Sequence, residues 1–101
     1  MELITVEDLK SRIENGEKLH LIDVREPNEN EEYNIGGILL PLGQIQNKLI
    51  DEIKDLKNEE VIFYCRSGNR SGQACRFLET LGFTNTKNLE GGMLKWREKF
   101  H

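Results

Sequence analysis

Val61-Ile62-Phe63-Tyr64 is an unbroken apolar and aromatic run that passes directly into Cys65-Arg66-Ser67-Gly68-Asn69-Arg70-Ser71. A strand that is apolar at every position must be covered on both faces, the condition of a parallel sheet lying between layers of helix. Beyond the loop, Ala74, Phe77, Leu78 and Leu81 recur at the i, i+3, i+4, i+7 spacing of a helix face, and Gly82 offers the stop. The segment therefore predicts a strand, a short loop and a helix beginning near Asn69, and this unit constrains the whole chain to an α/β arrangement.

The flanking sequence extends the pattern. Thr5 followed by Asp8 reads as a capped helix start, with Val6, Leu9 and Ile13 on one face and Gly16 as the end. Leu19 to Arg25 reads as a strand that leaves the sheet before Pro27, placing Asp23 and Arg25 near its C-terminal end. Asn28 to Tyr33 is expected as one short helix, and Ile35 to Leu42 as a glycine turn leading into a strand. Ile45, Leu49, Ile53 and Leu56 suggest an amphipathic helix ending near Lys57-Asn58. Phe83 to Leu89 supplies a last strand, and Gly91-Gly92 turns into a terminal helix that packs Leu94, Trp96 and Phe100. Strands alternating with helices imply a small, mostly parallel sheet flanked by helices on both faces, joined by right-handed crossovers.

With 101 residues the chain is expected to form one domain over 1–101. Fourteen basic and eighteen acidic residues give a net charge of −4, which offers no general footprint for nucleic acid or anionic lipid. Acid concentrates at Glu26 to Glu32 and Asp51 to Glu60, whereas Arg66, Arg70 and Arg76 cluster in and after the loop. A basic pocket in an acidic surface favours a small anion. No apolar run approaches the length that spans a bilayer, and Met1 to Thr5 has no basic-then-apolar leader, so a cytoplasmic chain is expected.

Two cysteines are too few for a disulfide framework or a zinc site. Cys65 stands where three influences favour a thiolate: free N–H groups at a helix start, the helix dipole, and neighbouring guanidinium groups. Cys75 falls inside a helix and reads as a core or boundary residue. His20 and His101 are badly placed for a Cys-His pair, and Trp96 reads as a packing anchor. Glu29 to Glu32 reads as a solvated helix face, with a docking site for a basic partner as the alternative.

Three motifs occur in order: Leu21-Ile22-Asp23-Val24-Arg25-Glu26, then Cys65 to Ser71, then Asn88-Leu89-Glu90-Gly91-Gly92-Met93 followed by Trp96. Together they resemble a single-domain rhodanese, the thiosulfate sulfurtransferase family. The resemblance implies a Cys65 persulfide, formed from a small anionic sulfur donor such as thiosulfate and discharged to a thiol, cyanide or a protein cysteine. No metal or organic cofactor is implied, and nothing demands more than a monomer. Backbone N–H groups of Arg66, Ser67, Gly68, Asn69, Arg70 and Ser71 would curl around the sulfur, and Arg66 and Arg70 would attract the donor and stabilise departing sulfite. Gly68 suits positive φ or close ligand approach. Ser67 and Ser71 offer hydroxyls to bond the sulfur or cap the following helix, that of Ser71 chiefly as the cap. Asp23 and Arg25 are implied to form an ion pair that orders a loop.

Four residues separate Cys65 from Arg70, whereas cysteine-dependent phosphatases resemble Cys-x₅-Arg, so phosphatase or arsenate chemistry is the weaker enzymatic alternative. A persulfide carrier, sensor or binding module with little turnover is the other reading. Many family members resemble Gly-His-Ile-x-Gly-Ala before the third strand; this chain has Tyr33-Asn34-Ile35-Gly36-Gly37-Ile38, which lacks the histidine and runs about one residue shorter to Pro41.

Overall fold

Val61–Tyr64 forms the middle strand, β4, of the sheet and is buried along its whole length. In the computed structural model, which describes residues 1–101, the other strands are β1 (Glu2–Ile4), β2 (His20–Asp23), β3 (Ile38–Leu39) and β5 (Thr86–Leu89). Their order is β1-β5-β4-β2-β3, and every pairing is parallel. The helices are α1 (Val6–Glu14), α2 (Pro27–Glu32), α3 (Leu42–Gln46), α4 (Asn69–Thr80) and α5 (Gly92–Lys99). The α/β class read from the sequence is thus the observed one, with a sheet that is wholly parallel.

Alternation along β4 divides the core in two. Val61, Phe63 and Cys65 pack with Ile45, Ala74 and Leu78 under α3 and α4, while Ile62 and Tyr64 pack with Val6, Leu9, Met93 and Trp96 under α1 and α5. The helix starts follow local chemistry. Thr5 accepts a hydrogen bond from the Asp8 amide at 3.1 Å, and Glu26 and Glu29 form a reciprocal capping box around Pro27.

The chain leaves β4 through α4 to reach β5 on one side, while β2 and β3 lie on the other. Crevices at the C-terminal ends of strands open where strand order reverses in this way. Cys65 follows the last residue of β4 and sits at that position.

Several expectations are corrected. No continuous helix covers Ile45 to Leu56: α3 ends at Gln46, Lys48 takes a left-handed φ of 62°, and a separate 3₁₀ turn spans Lys54–Leu56. Ile45 and Ile53 still reach the core, but Leu49 is 62% exposed. The glycine turn expected at the start of Ile35 to Leu42 is present, with positive φ at Gly36 and Gly37, but the strand it leads into is only two residues long. A Cβ on Gly37 would collide with the Leu21 backbone. Regular pairing of β5 begins at Thr86, with Phe83 buried ahead of it, and Leu94 is exposed rather than packed. The edge strand β1 has no counterpart in the sequence reading, since three residues are too few to show a period.

No helix is long and apolar enough to cross a membrane. At the N-terminal edge of the sheet, Glu60 accepts from Arg12 Nη1 and Nη2 at 3.0 and 2.6 Å and from Lys87 Nζ at 2.5 Å. Chiefly through Arg12, the carboxyl is held down at about 2 instead of its ordinary 4.5. A depressed carboxylate contributes stability that is present above its unfolded value and lost as pH falls through the folded one. Glu60→Gln should therefore cost about 1 kcal/mol at neutral pH, a modest figure because both partners are partly exposed. Urea unfolding of both chains should show the gap closing between pH 4.5 and about 2. A gap that does not change with pH would show that the carboxylate charge is not the source.

Candidate active site

Cys65 is only 1% exposed, and its sulfur is nevertheless surrounded by donors. Gly68 N–H approaches Sγ at 3.1 Å, Ser71 N–H at 3.4 Å and the Ser71 hydroxyl at 3.3 Å. Burial pushes the thiol up, but the Ser71 hydroxyl and the N–H groups of Ser71, Gly68 and Ser67 outweigh it, so the thiol lies below its ordinary range. The twelve-residue helix α4 begins at Asn69, directly behind the loop, and adds the positive end of its dipole.

The loop's carbonyls explain why its N–H groups face inward. Met93 N–H donates to the Cys65 carbonyl and Leu94 N–H to the Arg66 carbonyl, each at 2.9 Å. These are first-turn amides of α5 that lack partners within their own helix, so one helix start turns two loop carbonyls away from the sulfur. The approach requires glycine at position 92: a Cβ there would lie 2.5 Å from the Cys65 oxygen and 2.6 Å from the Arg66 oxygen. At Gly68 the requirement is conformational, a φ of 101° at the residue preceding α4.

The arginines divide into committed and free groups. Arg70 makes a two-pronged pair with Glu29 at 2.8 and 2.9 Å, and this guanidinium holds the Glu29 carboxyl at about 2. Glu29 therefore belongs to the site, a correction to the reading of Glu29 to Glu32 as a solvated face. Arg66 is exposed and makes no ion pair. Arg76 lies on the exposed side of α4 and does not line the cavity beside the loop, so the expected cluster of three reduces to Arg66 and a neutralised Arg70.

Asp23 and Arg25 are both buried and joined by bonds of 2.9 Å from Arg25 Nε and Nη2. Arg25 also donates to the Tyr33 carbonyl at 2.6 Å, and Asn30 donates to Asp23 at 2.9 Å. The pair thus ties the end of β2 to the middle of α2 and to its C-cap. In the turn ahead of β3, Asn34 accepts from the Gly36 amide and donates to the Asn30 carbonyl, each at 2.9 Å, and Tyr64 Oη closes the turn on the Gly36 carbonyl. A cavity of about 330 Å³ lies beside the loop, between α2 and α5. Arg25, Tyr33, Arg66, Met93, Leu94 and Arg97 contribute to its wall, with Arg97 stacked 4.6 Å over the Tyr33 ring.

Ser71 is not the cap of α4. Gly68 holds the N-cap position without a side chain, and the Ser71 hydroxyl faces Cys65 and Asn88 instead. Ser67 and Asn69 are exposed; Ser67 contributes its amide, and the Asn69 side chain contacts Gln73 along the helix. Cys75 is fully buried, and burial pushes its thiol up to about 12. Glu29, Asn88 and Gly92 are site residues that sequence reasoning does not single out. Asn88 and Gly92 lie in the third motif, where the adjacent glycines were the only available signal.

The rhodanese-like domain family matches residues 5–99, and the chain belongs to it. YtwF of Bacillus subtilis is 44% identical over 94 residues, covering 92% of this chain and 87% of its own. The thiosulfate sulfurtransferase PspE of Escherichia coli is 36% identical over 73 residues, covering 71% of this chain and 69% of its own. A rhodanese-like domain protein from Staphylococcus aureus superposes with a TM-score of 0.82 at 30% identity, covering 95% of this chain and 91% of that one. The chain is therefore a sulfurtransferase-family protein by homology.

Two outcomes check the cradle. Iodoacetamide should alkylate Cys65 with a pH midpoint below that of a free thiol and leave native Cys75 unmodified, as read by peptide mass spectrometry. Gly92→Ala should destabilise the fold by at least about 2 kcal/mol through the backbone collision and slow Cys65 alkylation in the fraction that remains folded. Unchanged stability and alkylation would mean that α5 does not set the loop.

Proposed function

We propose that the protein transfers sulfane sulfur through a persulfide on Cys65, from thiosulfate or a persulfide donor to a thiol, cyanide or a protein cysteine. The observation that carries this reading is the set of donors around Cys65 Sγ, two backbone amides and one hydroxyl, with no acid or base side chain bonded to the sulfur. Exchange between sulfur anions requires stabilised negative charge rather than a proton carrier.

The thiolate attacks the outer sulfur of thiosulfate. As the new S–S bond forms, the bond to the oxygen-bearing sulfur breaks, and its electron pair leaves with sulfite. The remaining negative charge rests on the terminal sulfur of the Cys65 persulfide, within reach of inward-facing amides. An acceptor thiolate or cyanide then attacks that sulfur, and Cys65 regains its thiolate. Arg66 supplies an unpaired guanidinium at the mouth, and the adjoining cavity gives donor and acceptor a place to enter. The likeness to PspE supports thiosulfate as a donor.

The Glu29–Arg70 pair favours a second reading, a persulfide carrier whose donor bears less charge than thiosulfate. A neutralised Arg70 attracts a dianion less strongly than a free one.

Thiocyanate formation from thiosulfate and cyanide, followed together with intact mass, tests both readings. The unsubstituted chain should turn over and gain the mass of one sulfur atom, and Cys65→Ser should do neither while keeping its fold. Turnover by Cys65→Ser would overturn the assignment, and a stable adduct without turnover would favour the carrier. Arg70→Ala should lower kcat/KM for thiosulfate by a factor on the order of 10². Glu29→Gln should raise that value at low ionic strength, with the gain fading as salt is added.

A further inference from the structure

Asn88, in β5, is 5% exposed and lies between β1 and β4 in the sheet. Its Nδ2 donates to the Gly68 carbonyl at 2.9 Å, and its Oδ1 accepts from the Ser71 hydroxyl at 2.5 Å. A carbonyl can only accept, so the Gly68 contact fixes which end of the amide faces Ser71. The same hydroxyl lies 3.3 Å from Cys65 Sγ. Ser71 is fully buried, and its hydroxyl has one hydrogen for two acceptors, each within bonding distance.

We propose that Asn88 is a positioning residue of the site, the acceptor on which the Ser71 hydroxyl rests while the Cys65 sulfur is uncharged and which it leaves when that sulfur is a thiolate. The order of acceptor strength sets the direction. A thiolate is a stronger acceptor than an amide oxygen, and an amide oxygen is stronger than a thiol or a disulfide-type sulfur. On ionisation the Cys65 proton passes to solvent, while the Ser71 proton stays on its oxygen and rotates from Asn88 to Sγ. Asn88 Oδ1 is then left buried without its donor, which costs free energy and opposes thiolate formation. When Cys65 gains a second sulfur, the charge moves to the terminal atom and the hydroxyl returns to Asn88. Asn88 thus keeps the cradle from stabilising the thiolate so far that its nucleophilicity falls.

The inference rests on Cys65 as the reacting thiol, but it is read without any sulfur donor, so failure of the transfer assay leaves it intact. Cys65 is titrated by thiolate absorbance in four chains: unsubstituted, Asn88→Leu, Ser71→Ala and the double variant. The effect of Asn88→Leu should shift toward the thiolate by about three- to tenfold when Ser71 is present, relative to its effect in Ser71→Ala. Equal effects in both backgrounds would overturn the proposal, because loss of the Gly68 contact or of packing acts alike in each. A second measurement uses native Asn88. Its side-chain amide NMR signals should follow Cys65 ionisation in the unsubstituted chain, and the response should shrink sharply in Ser71→Ala. An undiminished response there would also overturn it.

Discussion

A buried sulfur anion is costly unless hydrogen-bond donors replace water, and much of this structure serves to supply them. Peptide groups alternate donors with acceptors, so a loop can present several N–H groups to one atom only if its carbonyls are bonded elsewhere. Here the start of α5 accepts that task for Cys65 and Arg66, and the Asn88 amide joins the Gly72 N–H of α4 in doing so for Gly68. Both supports come from the chain's last third, after β5 has been added beside β4. The cradle is thus a tertiary object, although the residues that touch the sulfur are contiguous in sequence.

That distinction explains what could be read in advance. The β4–loop–α4 unit was legible because its signals are local: an unbroken apolar strand, a glycine before a helix and a helical stripe. The place of Cys65 between the strand end and the helix start was legible for the same reason. Glu29 was not, because it meets Arg70 across 41 positions, and neither was Asn88, which meets Ser71 across 17. Acidic composition around Glu29 pointed to solvent, and only the packing of α2 beside the loop shows otherwise. Ser71 was misread through its type, since serine near a helix start usually caps it; here Gly68 occupies that place and frees the hydroxyl for the sulfur. The spacing of Ile45, Leu49, Ile53 and Leu56 suggested one helix because spacing cannot register a left-handed residue such as Lys48.

The site's charge is arranged by pairing more than by number. The chain carries a net charge of −4, and two of the three arginines at the loop and the neighbouring strand end, Arg25 and Arg70, are matched to carboxylates. The buried Asp23–Arg25 pair contributes geometry: it binds the end of β2 to the Tyr33 carbonyl and, through Asn30, to α2, and thereby places Glu29 opposite Arg70. The Asp23–Arg25 pair therefore acts on the sulfur site through two intermediates. Arg66 remains the loop guanidinium available to an incoming anion.

The division between backbone and side chain follows from this arrangement. Negative charge on sulfur is met mostly by amides, which every residue except proline supplies, so exposed Ser67 and Asn69 are free to vary in side chain without altering the cradle. In the proposed transfer, selection among donors and acceptors would then fall to the cavity wall, where Tyr33, Leu94 and Arg97 are contributed by α5 and by the segment after α2. Of these, α5 also carries supports that aim the loop. In that reading a change of partner specificity would be mechanically coupled to the reactivity of Cys65, because the helix that presents Leu94 to the cavity uses the amide of that residue to turn the Arg66 carbonyl away from the sulfur.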